Sequence, residues 1–289
     1  MSALIVLRPG PLTTVQDLGR RGVAHLGVPR AGALDGAAHR AANRLVGNPA
    51  DAATLETTLG GVTLRAVDGP LLVAVTGAPA AVRVAGRPAA WGAAVPVPAG
   101  AVLEVGAALA GVRGYLAVRG GIAVPAVLGS RSADLLSGLG PAPLRAGDLL
   151  PVGSAPTAGP LPGLVPLPAP PTELVLRLRL GPRADWFTPH APLALAAARY
   201  RVAQASNRVA LRTEGPPLER VRPGELESEG MVLGAVQVPP DGQPVVFLAD
   251  HPTTGGYPVI GVVPAADLDA AAQAGPGTPV RFTVVRGRT

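Results

Sequence analysis

The residues best suited to chemistry lie in one polar segment near the C-terminal end, Asp250-His251-Pro252-Thr253-Thr254-Gly255-Gly256-Tyr257. It brings together an acid, an imidazole, two hydroxyls, two glycines and a phenol. We expect Gly255 and Gly256 to give the backbone positive φ and to leave N–H groups uncovered. Such a turn can hold an anionic oxygen of a phosphate, a carboxylate or an oxyanion. A plain turn whose polar groups cap one another is an equally good interpretation of this segment taken alone.

A second polar cluster, Glu227-Ser228-Glu229-Gly230, comes directly before an apolar run over residues 231–238. A further apolar run, over residues 245–248, leads into the first segment. If the two runs are neighbouring antiparallel strands, the start of one lies beside the end of the other. We therefore expect Glu229 and Asp250 to face one pocket as catalytic carboxylates, with His251 as a proton carrier. The alternative is a hydrogen-bonded network at the strand ends that performs no chemistry.

A third polar cluster lies near the N-terminus, in a segment rich in turn residues, and consists of Gln16, Asp17, Arg20, Arg30 and Asp35. Its arginines suit an anionic ligand, although paired Arg and Asp residues are more often structural salt bridges. Asp35 is also a good N-cap for a helix, because apolar residues follow at helical spacing over residues 38–45.

Composition excludes several kinds of chemistry. The 289 residues include no cysteine, so the chain has no thiolate nucleophile and no cysteine-ligated metal site. Lysine is absent too, which excludes a P-loop lysine, a Schiff base and biotinylation of this chain. The four histidines lie far apart without metal-ligand spacing, so no metal site is predicted. The arginines behind the net charge of +6 are scattered and aromatic residues are few, so nucleic-acid binding is not expected.

The pattern of apolar runs and turns predicts a mainly β, β-rich α+β fold. The chain contains 38 glycines and 34 prolines, which favour many turns and short strands. Closely spaced antiparallel strands are expected from residue 62 to 118, and strands resume after residue 172. Residues 151–171 hold eight prolines and no charge, which is typical of an extended connector. We therefore predict an N-terminal β-rich domain at 1–150, this connector, and a C-terminal β-rich domain at 172–289 that carries the Asp250–Tyr257 loop.

No targeting segment is expected. The first apolar run, residues 3–7, is too short for a signal peptide. The uncharged stretch from residue 88 is interrupted by Pro96 and Pro98, so it is not predicted to cross a membrane. The absence of cysteine fits the cytoplasm, and a cytoplasmic location is the expectation.

Several of these segments resemble, in order and nearly from end to end, the family of 5-oxoprolinase C subunits, also known as biotin-dependent carboxyltransferase-like, KipA-like or allophanate hydrolase subunit 2. The matching stretches are 13–20, 27–35, 43–49, 56–61, 119–122, 128–132, 228–230 and 253–258. The resemblance implies two cyclophilin-like antiparallel β-barrel halves with a few short helices. It also implies a B-type (KipI-like) partner chain and an A-type partner chain, with ATP and Mg²⁺ shared among the chains. In such an assembly, 5-oxoproline is opened to glutamate.

The resemblance also carries residues across as pocket residues. They are Gln16, Asp17, Arg20, Arg30, Asp35, Glu229, Asp250, Thr254, Gly255, Gly256 and Tyr257. All of these except the two catalytic candidates Glu229 and Asp250 are predicted to bind substrate or phosphate, together with Thr253. The chain departs from the family pattern at three places. Pro252 stands where a glutamine is common, Val259 where a lysine is common, and Ala142-Pro143 where Gly-Arg is usual. The missing lysine weakens any transfer of carboxyltransferase chemistry to this chain.

Three hypotheses follow. The first is a subunit, inactive alone, of an ATP-dependent 5-oxoprolinase that hydrolyses a lactam. The second is the carboxyltransferase component of a biotin-dependent urea or amide carboxylase, with the biotin on another chain. The third is a regulatory, KipA-like binding subunit without turnover.

Overall fold

The computed structural model describes residues 2–156, 163, 165–222, 224 and 226–285. Their contacts divide the chain into two compact units. The first unit comprises Met1–Arg20, Ala31–Asp134 and Gly138–Pro170, and the second comprises Arg21–Arg30, Leu135–Ser137 and Pro171–Thr289. Part of the predicted connector lies outside the described residues. The predicted domain limits refer to parts of the chain that fold independently. Contacts within one chain do not test independent folding, so these limits stay predictions.

The first unit is built from two antiparallel sheets and one helix. One sheet has the strand order β11-β1-β4-β9-β6-β7, and the other has the order β2-β3-β10-β5-β8. The strands are β1 Ala3–Arg8, β2 Leu12–Gln16, β3 Thr54–Thr58, β4 Thr63–Val67, β5 Leu71–Gly77, β6 Ala80–Val84, β7 Arg87–Ala89, β8 Ala94–Val97, β9 Val102–Ala108, β10 Arg113–Val118 and β11 Leu149–Pro151.

The core of the first unit lies between its two sheets, because alternate residues of each strand point inward. Leu4 and Leu64 from one sheet pack in a single cluster with Leu55 and Leu116 from the other. Helix α1 (Gly36–Leu45) covers the outer face of the five-stranded sheet, so that every residue of its central strand β10 is buried.

The predicted N-cap of helix α1 is confirmed. An Asp35 carboxylate oxygen accepts a hydrogen bond of 2.8 Å from the backbone N–H of Ala38. This bond satisfies one of the N–H groups that the first turn of a helix leaves without an internal partner.

The second unit is a closed seven-stranded barrel with the order β12-β19-β16-β17-β14-β13-β20. Strands β12 and β20 run parallel, and the other barrel pairs are antiparallel. Its elements are β12 Leu174–Leu180, α2 Ala191–Ala197, β13 Tyr200–Val202, β14 Ala210–Glu214, β15 Glu229–Gly230, β16 Ala235–Gln237, β17 Val245–Phe247, β18 Thr254–Gly255, β19 Val259–Val262, α3 Ala265–Gln273 and β20 Pro279–Val285. Short 3-10 helices cover Ala24–Leu26 and Pro182–Trp186.

Strand β12 shows how the sequence forms the barrel wall. Leu174, Leu176 and Leu178 point inward and are buried, whereas the alternating Arg177 and Arg179 are exposed. The prediction of a mainly β chain with a few short helices is confirmed, since the described residues contain three α-helices and twenty strands. No helix in this part of the chain combines the length and apolar character needed to span a bilayer.

Candidate functional site

The second unit brings together the polar segment Asp250–Tyr257 and the cluster Glu227–Gly230, as expected. Strands β16 and β17 pair antiparallel, with Val236 opposite Val246. The polar segment then turns back, and β18 pairs with β15, so that Glu229 lies opposite Gly255 and Gly230 opposite Thr254. Backbone bonds from Met231 N–H to the Thr253 carbonyl and from Leu226 N–H to the Gly256 carbonyl, 2.9 and 3.0 Å, extend this pairing. The loop is therefore anchored along one side.

The expected conformation of the two glycines is wrong. Neither Gly255 nor Gly256 has a positive φ. Gly255 is instead required by close packing, because a Cβ atom there would lie 2.9 Å from the Gln237 side-chain nitrogen and 3.3 Å from the Met231 methyl carbon. The glycine pair lets two strands approach each other and does not form a left-handed turn.

Asp250 is fully buried and forms an ion pair with Arg208, which is itself 1% exposed. The two side chains meet in the bidentate manner, with Nε to Oδ2 at 2.9 Å and Nη2 to Oδ1 at 2.8 Å. The backbone N–H of Leu135 lies 3.4 Å from Oδ2. The carboxylate is therefore enclosed, and direct contact with a substrate would require the pair to separate.

His251 follows at once and is 7% exposed. Its Nδ1 lies 2.7 Å from the carbonyl oxygen of Pro252, which is an acceptor, so Nδ1 carries the proton in the neutral ring. Burial lowers the pKa of His251, and the positive charge of Arg30 lowers it further, against the opposing influence of the Pro252 bond and of Asp250. A neutral imidazole with an unprotonated Nε2 can accept a proton near neutral pH.

Glu229 and Asp250 pair with different arginines, and the expectation that the two carboxylates face one pocket stays a prediction. Glu229 Oε1 accepts hydrogen bonds from two nitrogens of Arg183, from Nε at 2.8 Å and from Nη2. The side chain remains about one-third exposed. The hydrogen bond from Arg183 lowers the pKa of Glu229, which keeps the carboxylate ionised.

The remaining loop residues border the same region of the second unit. The Tyr257 ring lies beneath the guanidinium carbon of Arg220, 5.8 Å from its centroid, and the Tyr257 carbonyl accepts from the Gln237 amide at 3.2 Å. Thr253 and Gly256 are half-buried, and Thr254 is exposed. Arg30 belongs to this unit as well, through the segment Arg21–Arg30. The loop thus offers exposed hydroxyl and backbone groups close to a guanidinium and an imidazole.

In the first unit, Asp17 is a structural carboxylate. It accepts hydrogen bonds from the hydroxyls of Ser130 and Ser132 at 2.6 Å each, and from the backbone N–H groups of Arg131 at 2.6 Å and Gly19 at 2.8 Å. Burial raises the pKa of Asp17, but these four bonds outweigh it and leave the pKa lowered. The loop at 128–132, one of the stretches that carry the family resemblance, holds Asp17.

The other first-unit candidates are buried too. Arg20 is 2% exposed and donates to the carbonyls of Val127 at 3.1 Å and Ser132 at 2.5 Å. The Gln16 amide donates to Thr14 and to the Ala133 carbonyl. Together with the capping role of Asp35, these bonds fix loop conformations. The predicted set is thus divided, with Gln16, Asp17, Arg20 and Asp35 in the first unit and the other members in the second.

Three partners were missed by sequence reasoning. Arg208 and Arg183 stood in the sequence as ordinary strand or turn arginines, without a signal that they pair with Asp250 and Glu229. In the first unit, Glu56 accepts from the Tyr115 hydroxyl at 2.7 Å and from the Leu34 N–H at 3.0 Å. An acid within the buried strand β3 was a signal that could have indicated this network.

Metal-ligating side chains do not cluster in the described part of the chain. Among the residues that the structure describes, no group of three or more His, Cys, Asp or Glu side chains is arranged to hold a metal ion. The site in the second unit can accept a proton at His251, bind an anionic oxygen near Arg30, and position a ligand on the half-exposed loop.

Comparison with known proteins defines the class to which this barrel and loop belong. The family model "Carboxyltransferase domain, subdomain A and B" matches residues 26–284, so the chain belongs to this family. Within it, the chain is similar to the C subunit of 5-oxoprolinase from Escherichia coli (strain K12). The two are 39% identical over 288 residues, which covers 96% of this chain and 90% of that protein. The resemblance found in the sequence is confirmed.

Solved structures give the same result. The crystal structure of TTHA0988 superposes with a TM-score of 0.89 at 39% identity, and that of the K. lactis urea amidolyase with a TM-score of 0.91 at 31% identity. Each match covers 98% of this chain. The chain spans 56% of TTHA0988 and 19% of the urea amidolyase, so both are longer proteins that contain a module of this fold.

Proposed function

We propose that this chain is the C-type subunit of an ATP-dependent 5-oxoprolinase. The observation that carries the proposal is its similarity to the E. coli 5-oxoprolinase chain of this type, which extends over 90% of that protein. A protein called a subunit works in an assembly, so we propose an A-type and a B-type (KipI-like) chain as partners. A cytoplasmic location belongs to the proposal, since ATP is available there.

The proposed reaction opens a lactam, which resists direct attack by water. Transfer of the γ-phosphoryl group to the amide oxygen activates the ring carbon. One water then adds and the C–N bond breaks, and a second water releases phosphate, so that 5-oxoproline, ATP and two waters give glutamate, ADP and phosphate. Positive charge and N–H donors are needed where negative charge develops. Arg30 and the loop from Thr253 to Tyr257 are proposed to supply them.

Mg²⁺ is proposed to enter with the nucleotide. The ion is commonly bound by one or two carboxylates together with substrate phosphates, where it neutralises the charge of the transferred group. Asp250 and Glu229 are engaged by arginines, so the fit of this chain to the ion is poor, and we propose that partner chains complete its ligand set. Gln16, Asp17, Arg20 and Asp35 are proposed to act indirectly, by holding the loops that their hydrogen bonds fix.

The test is reconstitution of the complex. The chain is co-purified with A-type and B-type partners, and glutamate release from 5-oxoproline is followed with and without ATP. We expect release that requires ATP and all three chains. An intact complex that forms no glutamate would refute the proposal, and a mixture without this chain is the control.

Carboxyl transfer is the second candidate, and the likeness to the urea amidolyase favours it. This chain lacks lysine, so the biotin would be on another protein. A streptavidin blot of co-purified material distinguishes the two. A biotinylated partner, together with carboxylation of urea or another amide, would establish the second function. Its absence from an ATP-dependent, glutamate-forming complex would establish the first.

A further inference from the structure

The Arg208–Asp250 pair is the most completely buried ion pair among those described, with side-chain exposures of 1% and 0%. Removing two charges from water costs several kcal/mol per ion, and mutual attraction offsets this cost only when the geometry is good. Apolar residues of similar size would satisfy the packing equally well. A role in holding one conformation is therefore a better explanation of the pair than stability alone.

The backbone around the pair shows which conformation is held. The Asp250 N–H donates to the Arg208 carbonyl at 3.1 Å, so the two residues are joined through main chain as well as side chains. Next to this bond along the two paired segments, Leu248 N–H donates to the Val209 carbonyl at 2.9 Å. These bonds extend the pairing of β14 with β17 past the end of the strands. His251 follows directly, and its own N–H donates to the Leu248 carbonyl at 3.1 Å.

The imidazole of His251 is then oriented by its own surroundings. Its Nδ1 donates to the Pro252 carbonyl. The centroid of the Phe247 ring lies 6.1 Å from the centroid of the imidazole ring. Within the part of the chain that the structure describes, Nε2 makes no hydrogen bond. The charged groups that face the ring are Arg30 and Asp250, and the second is neutralised by Arg208.

We infer that Arg208 and Asp250 are positioning residues, which hold His251 in the tautomer whose bare Nε2 is the proton acceptor of the site. This inference rests on the proposed function for the identity of the proton donor, which is the water that attacks the activated ring carbon. Its O–H bond breaks as the C–O bond forms, the proton passes to Nε2, and Nε2 returns it to the ring nitrogen when the C–N bond breaks. Asp250 itself contacts no substrate.

The test begins with the free chain, so that it does not depend on activity. Histidine ring nitrogens are observed by NMR in protein labelled with ¹⁵N-histidine, and the signals of His251 are assigned by their loss in His251→Gln. At pH 7 we expect a protonated Nδ1 and a bare Nε2. The opposite tautomer in the wild-type chain would overturn the inference.

The double variant Arg208→Met/Asp250→Leu removes both charges without leaving either one alone. We expect both tautomers to become populated and the pKa of His251 to rise toward its ordinary value of about 6.5, because the loosened ring becomes hydrated. Unchanged tautomer and titration in a folded double variant would show that the pair does not position His251. Arg208→Lys, which keeps the charge but loses the bidentate bond, gives the same test in a milder form.

The matched control is Arg201→Met/Glu214→Gln, which removes an ion pair of the same barrel whose side chains are 67% and 50% exposed. It should leave the His251 signals unchanged. In the reconstituted complex, the buried-pair variant should lower kcat by at least about tenfold, with KM for 5-oxoproline within about twofold, since loss of a proton acceptor typically costs about 10²–10⁴-fold. A raised KM with unchanged kcat would overturn the role. If the wild-type complex forms no glutamate, the proposed function fails while the NMR result still decides the positioning.

Discussion

Removing Arg208 alone is the sharpest perturbation of the second unit. In Arg208→Met, the Asp250 carboxylate loses its bidentate partner while it remains fully buried. Breaking a buried pair on one side typically costs about 3–5 kcal/mol, because an uncompensated charge stays in the interior. The paired substitution Arg208→Met/Asp250→Leu removes both charges, and its cost should be near zero or favourable.

The chain offers a reporter for this unit alone. It contains two tryptophans, of which Trp186 belongs to the second unit and is 8% exposed. In a Trp91→Phe background, fluorescence during urea unfolding therefore follows the second unit. With a slope of about 1.5 kcal/mol per molar urea, a loss of about 4 kcal/mol lowers the midpoint by roughly 2.7 M.

The single and double variants must differ for the reasoning to hold. A single variant that unfolds within about 0.5 M urea of its parent would show that the carboxylate is solvated or has another cation partner. A double variant as unstable as the single one would show that packing, not the stranded charge, causes the loss. Arg201→Met, which removes the arginine of the exposed pair, should change stability by less than about 1 kcal/mol.

Three further outcomes test other parts of the structure. A Cβ at Gly261 would overlap the Arg179 carbonyl oxygen, so Gly261→Ala should lower the urea midpoint of the barrel, whereas Gly230→Ala, which meets nothing within 4 Å, should not. Asp17→Asn should destabilise the first unit by about 2–3 kcal/mol at pH 7. The pKa of Asp17 is lowered in the folded protein, so the carboxylate stabilises the fold above about pH 3.9, and this stabilisation is lost as the pH falls further. The difference in stability between wild type and Asp17→Asn should therefore shrink in acid. Burial lowers the pKa of His39 to about 4. The free energy of unfolding of the wild type should therefore fall by roughly 2 kcal/mol between about pH 8 and pH 5, whereas that of His39→Gln should not. Urea titrations over this pH range check the Asp17 and His39 predictions. If the stability of a variant and of the wild type changed with pH in the same way, the corresponding prediction would be contradicted.

Local chemistry was readable from the sequence, and tertiary partners were not. The N-cap at Asp35 and the inward leucines of β12 follow from short-range pattern, and both are found. Arg208 and Asp250 meet because Ala210 lies opposite Phe247 across two barrel strands, a pairing of distant parts of the chain that no short-range pattern indicates. The error at Gly255 has the same origin. The residue type alone predicts a positive φ at Gly255, whereas the structure requires glycine there because the side chains of Gln237 and Met231 leave no room for a Cβ atom.

The composition of the chain bears on which residue could move the proton. Val259 lies in β19 opposite Gln237, next to the polar loop, and carries no charge. With no lysine in the chain, positive charge at the site must come from arginine. An arginine remains charged throughout the physiological range, so it can bind an oxyanion but cannot accept a proton. Glu229 is held ionised by Arg183, and Asp250 is enclosed by Arg208. Among the second-unit candidates, we therefore propose His251 for proton transfer, because its neutral ring keeps Nε2 available.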